Sequence, residues 1–141
     1  MGEQRRWADV TVGDQLAGAS FPLTVHRLVM AAGATRDFSA IHHNDRYARA
    51  SGAPGMYANT GLLMGMWERV LREYVGLDGT IRAIRGFRLA RFTVVGSLAR
   101  VEGEVVGKEI RDGVPLVEIE LRTVVDGTVT VGPGRAEVTL P

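Results

Sequence analysis

Cysteine is absent from the 141 residues, which excludes disulfides, thiolate metal sites and cysteine nucleophiles together. Excess charge is missing too. The 17 basic side chains against 16 acidic ones leave a formal net charge of +1, too little to recruit nucleic acid or an anionic membrane. No Lys/Arg run with interleaved aromatics occurs, so a nucleic-acid partner has no footprint. No apolar run approaches the ~20 residues needed to span a bilayer. The opening "MGEQRRWADV" is polar and charged where a signal peptide carries an apolar stretch. A soluble, cytoplasmic protein is expected. Repeats, low-complexity tracts and linkers are also lacking, which predicts a single domain over 1–141, long enough to bury a real core.

Glycine is plentiful, at 18 residues. A chain of this length at the usual ~7 % would hold about ten. The glycines are dispersed and sit where a chain reverses, which favours a sheet with tight turns over a helix bundle. Along the chain, "FPLTVHRLVM" has strand character, so His26 is expected in a strand with a structural role. "LVMAAGATRDF" reads as a short Ala-rich helix, followed by a loop with a helical turn around Arg46 to Ala50.

The clearest helix is Asn59 to Val75, where Leu62, Leu63, Met66, Val70 and Tyr74 recur at three- and four-residue spacing. Asn59 or Thr60 caps its start and Gly76 ends it. After Gly79 the period becomes two. "IRAIRGFRLARFTVV", "LARVEGEVVGKEI", "VPLVEIELRTVV" and "TVTVGPGRAEVTL", separated by "VGS", "RDG" and "VDG", predict four strands in an antiparallel meander. A curved antiparallel sheet wrapped around one long central helix is the hot-dog arrangement, of α+β class.

Only three histidines occur, and two of them are adjacent in "TRDFSAIHHNDRYARASG", Thr35 to Gly52. Taken alone, Asp37 reads as a helix end or turn cap and His42 as a hydrogen-bonded loop residue. "DFSAIHHNDRYA" followed by "GMYANTGLLMG", however, resembles the pattern of MaoC-like dehydratases, the (R)-specific enoyl-thioester hydratases of the hot-dog fold. That pattern runs Asp-x-Asn-Pro-aliphatic-His, an acid two residues on, and then a His-Gly pair opening the central helix. Asp37, Ile41 and His42 keep the spacing. Ser39, Ala40 and Asn44 replace the Asn, the Pro and the acid, and Asn59–Thr60 replaces the His-Gly pair. "GFRLARFTVVGS" and the closing "AEVTLP" extend the likeness over most of the chain. "ATRDF" with "IHH", together with a helix opening on Asn, is similar to the actinobacterial branch acting on steroid side-chain CoA thioesters.

The resemblance implies a hydro-lyase that adds or removes water across the 2,3-bond of an enoyl or 3-hydroxyacyl thioester, on CoA or an acyl carrier protein. It implies neither cofactor nor metal. Adjacent histidines with nothing nearby to complete a ligand set argue against a metal on their own account. Asp37 and His42 would be catalytic, an imidazole being suited to move a proton near neutral pH. The Thr60 backbone N–H would hold the thioester oxygen as charge builds on it. His43, Tyr47, Met56, Tyr57 and Asn59 would surround the substrate, although Tyr47 on its own reads first as packing and Met56 as core. The resemblance also implies a homodimer or a heteromer with a related hot-dog chain.

Arg82, Arg85, Arg88 and Arg91 recur every three residues, a spacing that alternates faces on a strand and so predicts solvated edges before a phosphate grip. Two rival functions share the fold. One is a hot-dog thioesterase, whose Asp-x-x-Gly-His-x-Asn element "DFSAIHHN" matches loosely. The other is a non-catalytic acyl-binding subunit of a hydratase complex.

Overall fold

The computed structural model describes residues 4–141, so the first three residues of the polar opening lie outside it. Five strands form one antiparallel sheet: β1 (Ala19–Pro22), β2 (Thr80–Arg85), β3 (Leu98–Arg111), β4 (Val114–Val125) and β5 (Thr128–Thr139), in the order β1-β3-β4-β5-β2. Three helices precede β2: α1 (Val25–Ala34), α2 (Asp45–Ala50) and α3 (Thr60–Val75).

The two hairpins among the long strands turn where the sequence says. Asp112–Gly113 and Asp126–Gly127 all adopt positive φ, the backbone of tight primed turns. Each long strand alternates buried and exposed residues, so Val101, Val105, Ile119, Leu121, Val131 and Val138 face inward. Register shifts at Val105/Gly107 and around Thr123 bend the sheet. Into the resulting trough α3 lowers Leu63, Met66, Trp67, Val70, Leu71, Tyr74 and Val75. Trp67 is fully buried at the centre, where its indole N–H donates to Thr123 Oγ1 at 2.8 Å. Burial of this size, at roughly 25 cal/mol per Å² of apolar surface, is the main source of stability.

The four-strand meander is corrected on one point. Only β3, β4 and β5 run as consecutive neighbours; β2 pairs with β5 at the far edge and β1 closes the other edge against β3. The stretch read as one long strand is interrupted at Gly86, which adopts φ 67°. Residues 86–97 form an irregular strap that first stays beside β5, through a Leu89–Val131 bridge and the Gly132 N–H donating to Arg88 O. It leaves the sheet only beyond Arg91. "VGS" is therefore the end of a crossover and not a hairpin turn. His26 is also corrected: β1 stops at Pro22, Thr24 caps α1 through Arg27 N–H, and His26 lies exposed in the first helical turn. A proline and a capping threonine end the strand where apolar alternation alone would continue it.

The outer sheet face carries cross-strand ion pairs, among them Arg122–Glu102 at 3.1 Å and Arg135–Glu118 at 3.0 Å. Exposed pairs of this kind contribute about 0–1 kcal/mol each. No helix among the described residues is long and apolar enough to cross a membrane.

Candidate active site

Asp37 and His42 meet. His42 Nε2 stands 3.2 Å from Asp37 Oδ2, with the imidazole 7 % exposed and the carboxylate 41 % exposed. Each is delivered by a distinct local device. Asp37 follows a Schellman ending on α1: its N–H donates to Ala32 O at 2.9 Å, and the Arg36 N–H donates to Gly33 O at 3.2 Å. Arg36 occupies the left-handed position of that motif with φ 55°, where glycine is usual. His42 ends a single 3₁₀ turn, Ala40–His42.

On its other side, His42 Nδ1 lies 2.8 Å from Tyr57 O. A backbone carbonyl only accepts, so Nδ1 carries a proton and donates it there. The neutral ring therefore has its lone pair on Nε2, facing Asp37. The Tyr57 ring packs edge-on to the imidazole at 5.2 Å and tilts against Phe92 at 4.7 Å.

The segment carrying Tyr57 is held from both sides. Tyr57 N–H donates to Ile41 O, Ala58 N–H to Thr93 O, and Val95 N–H to Met56 O. Asp45 Oδ1 accepts from Met56 N–H at 3.0 Å, while its Oδ2 accepts from Arg49 Nε at 2.7 Å. The Arg49 bond first, and then the Met56 N–H, hold the Asp45 carboxyl below the usual carboxylate range.

Asn59 caps α3, its Oδ1 accepting from Leu62 N–H at 2.9 Å. Its Nδ2 donates to Thr35 Oγ1 at 2.7 Å, and that hydroxyl donates to Ala31 O. The start of α3 is thereby tied to the end of α1, two residues before Asp37. Gly61 completes the contact: a Cβ there would stand 2.7 Å from the Thr35 methyl. The Thr60 N–H, in the first helical turn, has no protein acceptor among the described residues.

The residues expected at the site thus separate. Asp37, His42, Tyr57, Asn59 and Thr60 converge on one end of α3. His43 is exposed and its Nε2 donates to Phe38 O at 3.1 Å. Tyr47 is exposed on α2, and Met56 is buried in the core. Of the four spaced arginines, Arg82 lies 3.8 Å from Glu137 on the outer face, and all four are exposed.

Thr35 and the strap residues Leu89, Phe92 and Thr93 were not legible as site residues. Beside Tyr57 the strap and α3 enclose a mainly apolar groove of about 270 Å³, lined by Tyr57, Leu63, Leu89, Arg91, Phe92 and Thr93 among others. A slightly larger hollow, about 300 Å³, lies among Lys108, Glu109, Arg111 and Glu118 on the outer face, remote from the Asp37–His42 pair. Among the described residues no group of three His, Asp or Glu side chains is placed to hold a metal.

No family model and no curated protein matches the chain. Solved structures do. A chain of the ChsH1–ChsH2 complex from Mycobacterium tuberculosis matches at TM-score 0.83 and 24 % identity, over 93 % of this chain and 98 % of that one. The (R)-hydratase PhaJ1 from Pseudomonas aeruginosa matches at TM-score 0.85 and 21 % identity, over 96 % and 85 %. This chain has the hot-dog fold. The (R)-hydratase of A. caviae involved in PHA biosynthesis matches at TM-score 0.81 and 22 % identity, over 94 % and 98 %.

Proposed function

We propose that the protein is a MaoC-like hydro-lyase acting on 2-enoyl or 3-hydroxyacyl thioesters. The observation that carries this reading is the 3.2 Å contact between a buried His42 and a half-exposed Asp37 at the open end of the central helix. The solved hydratases that share the fold supply the reaction class.

The imidazole Nδ1–H is committed to Tyr57 O, so only Nε2 is available for proton transfer. Nε2 and Oδ2 at hydrogen-bond distance together hold one proton, and both reach a water bound above the thioester's double bond. As the water oxygen bonds to C3, its proton passes to the pair and one proton leaves the pair for C2. The pair ends in its starting state, and elimination is the same path reversed. Charge building on the thioester oxygen is met by the Thr60 N–H, a free donor at the positive end of α3.

The chain also pairs, with a second copy or with a related hot-dog chain. α1 exposes Val25 and Val29, one turn apart, with Met30, and Phe38 follows at 71 % exposure. Apolar residues left exposed along α1 and beside Asp37 are those an association would cover.

Incubation with a short 2-enoyl-CoA, a 3-hydroxyacyl-CoA and a saturated acyl-CoA tests the activity. Interconversion of the first two without free thiol is the expected result. Thiol release from the third would establish a thioesterase instead, and inertness toward all three a binding subunit.

A further inference from the structure

Different elements carry the two halves of the proposed reaction. The Asp37–His42 pair follows α1, whereas the free Thr60 N–H opens α3. An enoyl thioester is conjugated and planar, so its C3 and its carbonyl oxygen stand a fixed distance apart. The pair and the donor must therefore be held at a matching separation. Among the described residues one hydrogen bond joins the end of α1 to the start of α3: Asn59 Nδ2 donates to Thr35 Oγ1 at 2.7 Å. Neither residue needs it for its local task. Asn59 caps α3 through Oδ1 alone, a service that Asp or Ser would give equally. What asparagine adds is the Nδ2 donor, on a residue only 4 % exposed, where a donor without a partner is unfavourable. Ala31 O, for its part, already accepts from the Thr35 backbone N–H at 2.9 Å. Yet Thr35 uses every group of its side chain. Its hydroxyl donates to Ala31 O at 2.7 Å and accepts from Asn59, and its methyl fills the space beside Gly61 that a Cβ there would need. A β-branched side chain has few rotamers, and these three contacts fix one of them.

We infer that Thr35 is a positioning residue for the reaction: through its hydrogen bond to Asn59 it sets the separation between the Asp37–His42 pair and the Thr60 N–H. The inference rests on the hydratase reading of the site. Thr35 acts through Asn59, the neighbour of Thr60, on one side and through the turn that delivers Asp37 on the other. Loss of the hydroxyl lets the two halves drift apart while each remains intact. Substrate then still binds, but it cannot meet both halves at once. A misplacement of about 1 Å is enough to cost ~10²-fold in rate.

The test is steady-state hydration of crotonyl-CoA, set beside the Kd of butyryl-CoA. Thr35→Val keeps size and branching but removes the hydroxyl, and Thr35→Ser keeps the hydroxyl but removes the methyl. Because Thr35→Val also strands the Asn59 donor, it lowers Tm whatever its role, so the deciding readouts are kinetic. In Thr35→Val kcat should fall about ten- to a hundredfold, with KM and the butyryl-CoA Kd unchanged. Thr35→Ser should keep most of kcat. Asn59→Ser, whose shorter side chain caps α3 without reaching Thr35, should lose kcat as Thr35→Val does, and takes its place if Thr35→Val does not fold. In a Thr60→Pro background the donor whose placement Thr35 sets is gone, so Thr35→Val should cost little more. A purely structural role does not produce that non-additivity. Parent kcat in Thr35→Val, equal losses in Thr35→Val and Thr35→Ser, a loss taken in KM and Kd, or full additivity with Thr60→Pro each overturns this inference and leaves the hydratase reading standing. A parent protein that hydrates no enoyl-CoA sinks the hydratase reading, and this inference with it.

Discussion

At the scale of single residues, the account turns on which atom of which histidine is free. His42 has one nitrogen committed to Tyr57 O and the other to Asp37, whereas the His43 ring bonds a loop carbonyl and stands in solvent. His42→Ala is expected to fold and to lose ~10²–10⁴-fold in hydration rate, with His43→Ala costing far less, as read from enoyl absorbance. The reverse order would move the site by one residue. Thr60 gives a second test. Asn59 sits at φ −78°, ψ 163°, an extended conformation that a following proline accepts, and proline is tolerated in the first helical turn. Thr60→Pro should therefore fold but lose ~10²–10³-fold in turnover with its N–H, while Thr60→Gly stays near the parent. Full activity in a folded Thr60→Pro protein would mean that the thioester oxygen is held elsewhere.

At the scale of elements, α1 and α3 meet at a seam that sets where Asp37 stands. Gly61 packs so close to Thr35 that Gly61→Ala must push the threonine aside, although alanine is about 1 kcal/mol the better helix former. Lower activity with no gain in Tm is the expected result; a more stable, fully active variant would show that the seam does not matter. Arg36→Gly should relieve the left-handed residue that ends α1, raising stability by up to about 1 kcal/mol in denaturant titration with activity kept.

The same elements show what was legible. α3 could be read to within a residue, because its apolar spacing, its Asn cap and its terminal Gly76 agree. The Asp-Gly turns were legible for the same reason: local chemistry and global fold coincide there. The end of α1 was not, since an arginine stands where glycine would announce a Schellman motif. Nor was the strap. "FRLARFTVV" alternates like a strand and still meets β5 at Leu89, but the left-handed Gly86 interrupts the ladder and the segment leaves the sheet beyond Arg91. The groove residues Phe92 and Thr93 lie on that strap and could not be anticipated, whereas Asp37 and His42 were singled out by the family resemblance.

At the scale of the whole molecule, the segment from Met56 to Ala58 joins α2, the strap and His42, with Asp45 as its anchor. Because the folded state holds the Asp45 carboxyl below its ordinary value, its contribution is fully present above the unfolded value and is lost as pH falls below about 4. The Tm difference between the parent and Asp45→Asn should be full at pH 6 and shrink on acidification through that range. A difference independent of pH would mean that the carboxylate's charge is irrelevant.

The claim that a carboxylate–imidazole pair performs the chemistry is tested most directly by Asp37→Asn, which keeps the size and leaves His42 in place. The measurement is the rate of enoyl-CoA hydration, set beside the Kd of the saturated acyl-CoA and the Tm. The account predicts that Asp37→Asn binds the saturated analogue and melts like the parent, yet hydrates ~10²–10⁴-fold more slowly. Hydration at the parent's rate in that variant would contradict it.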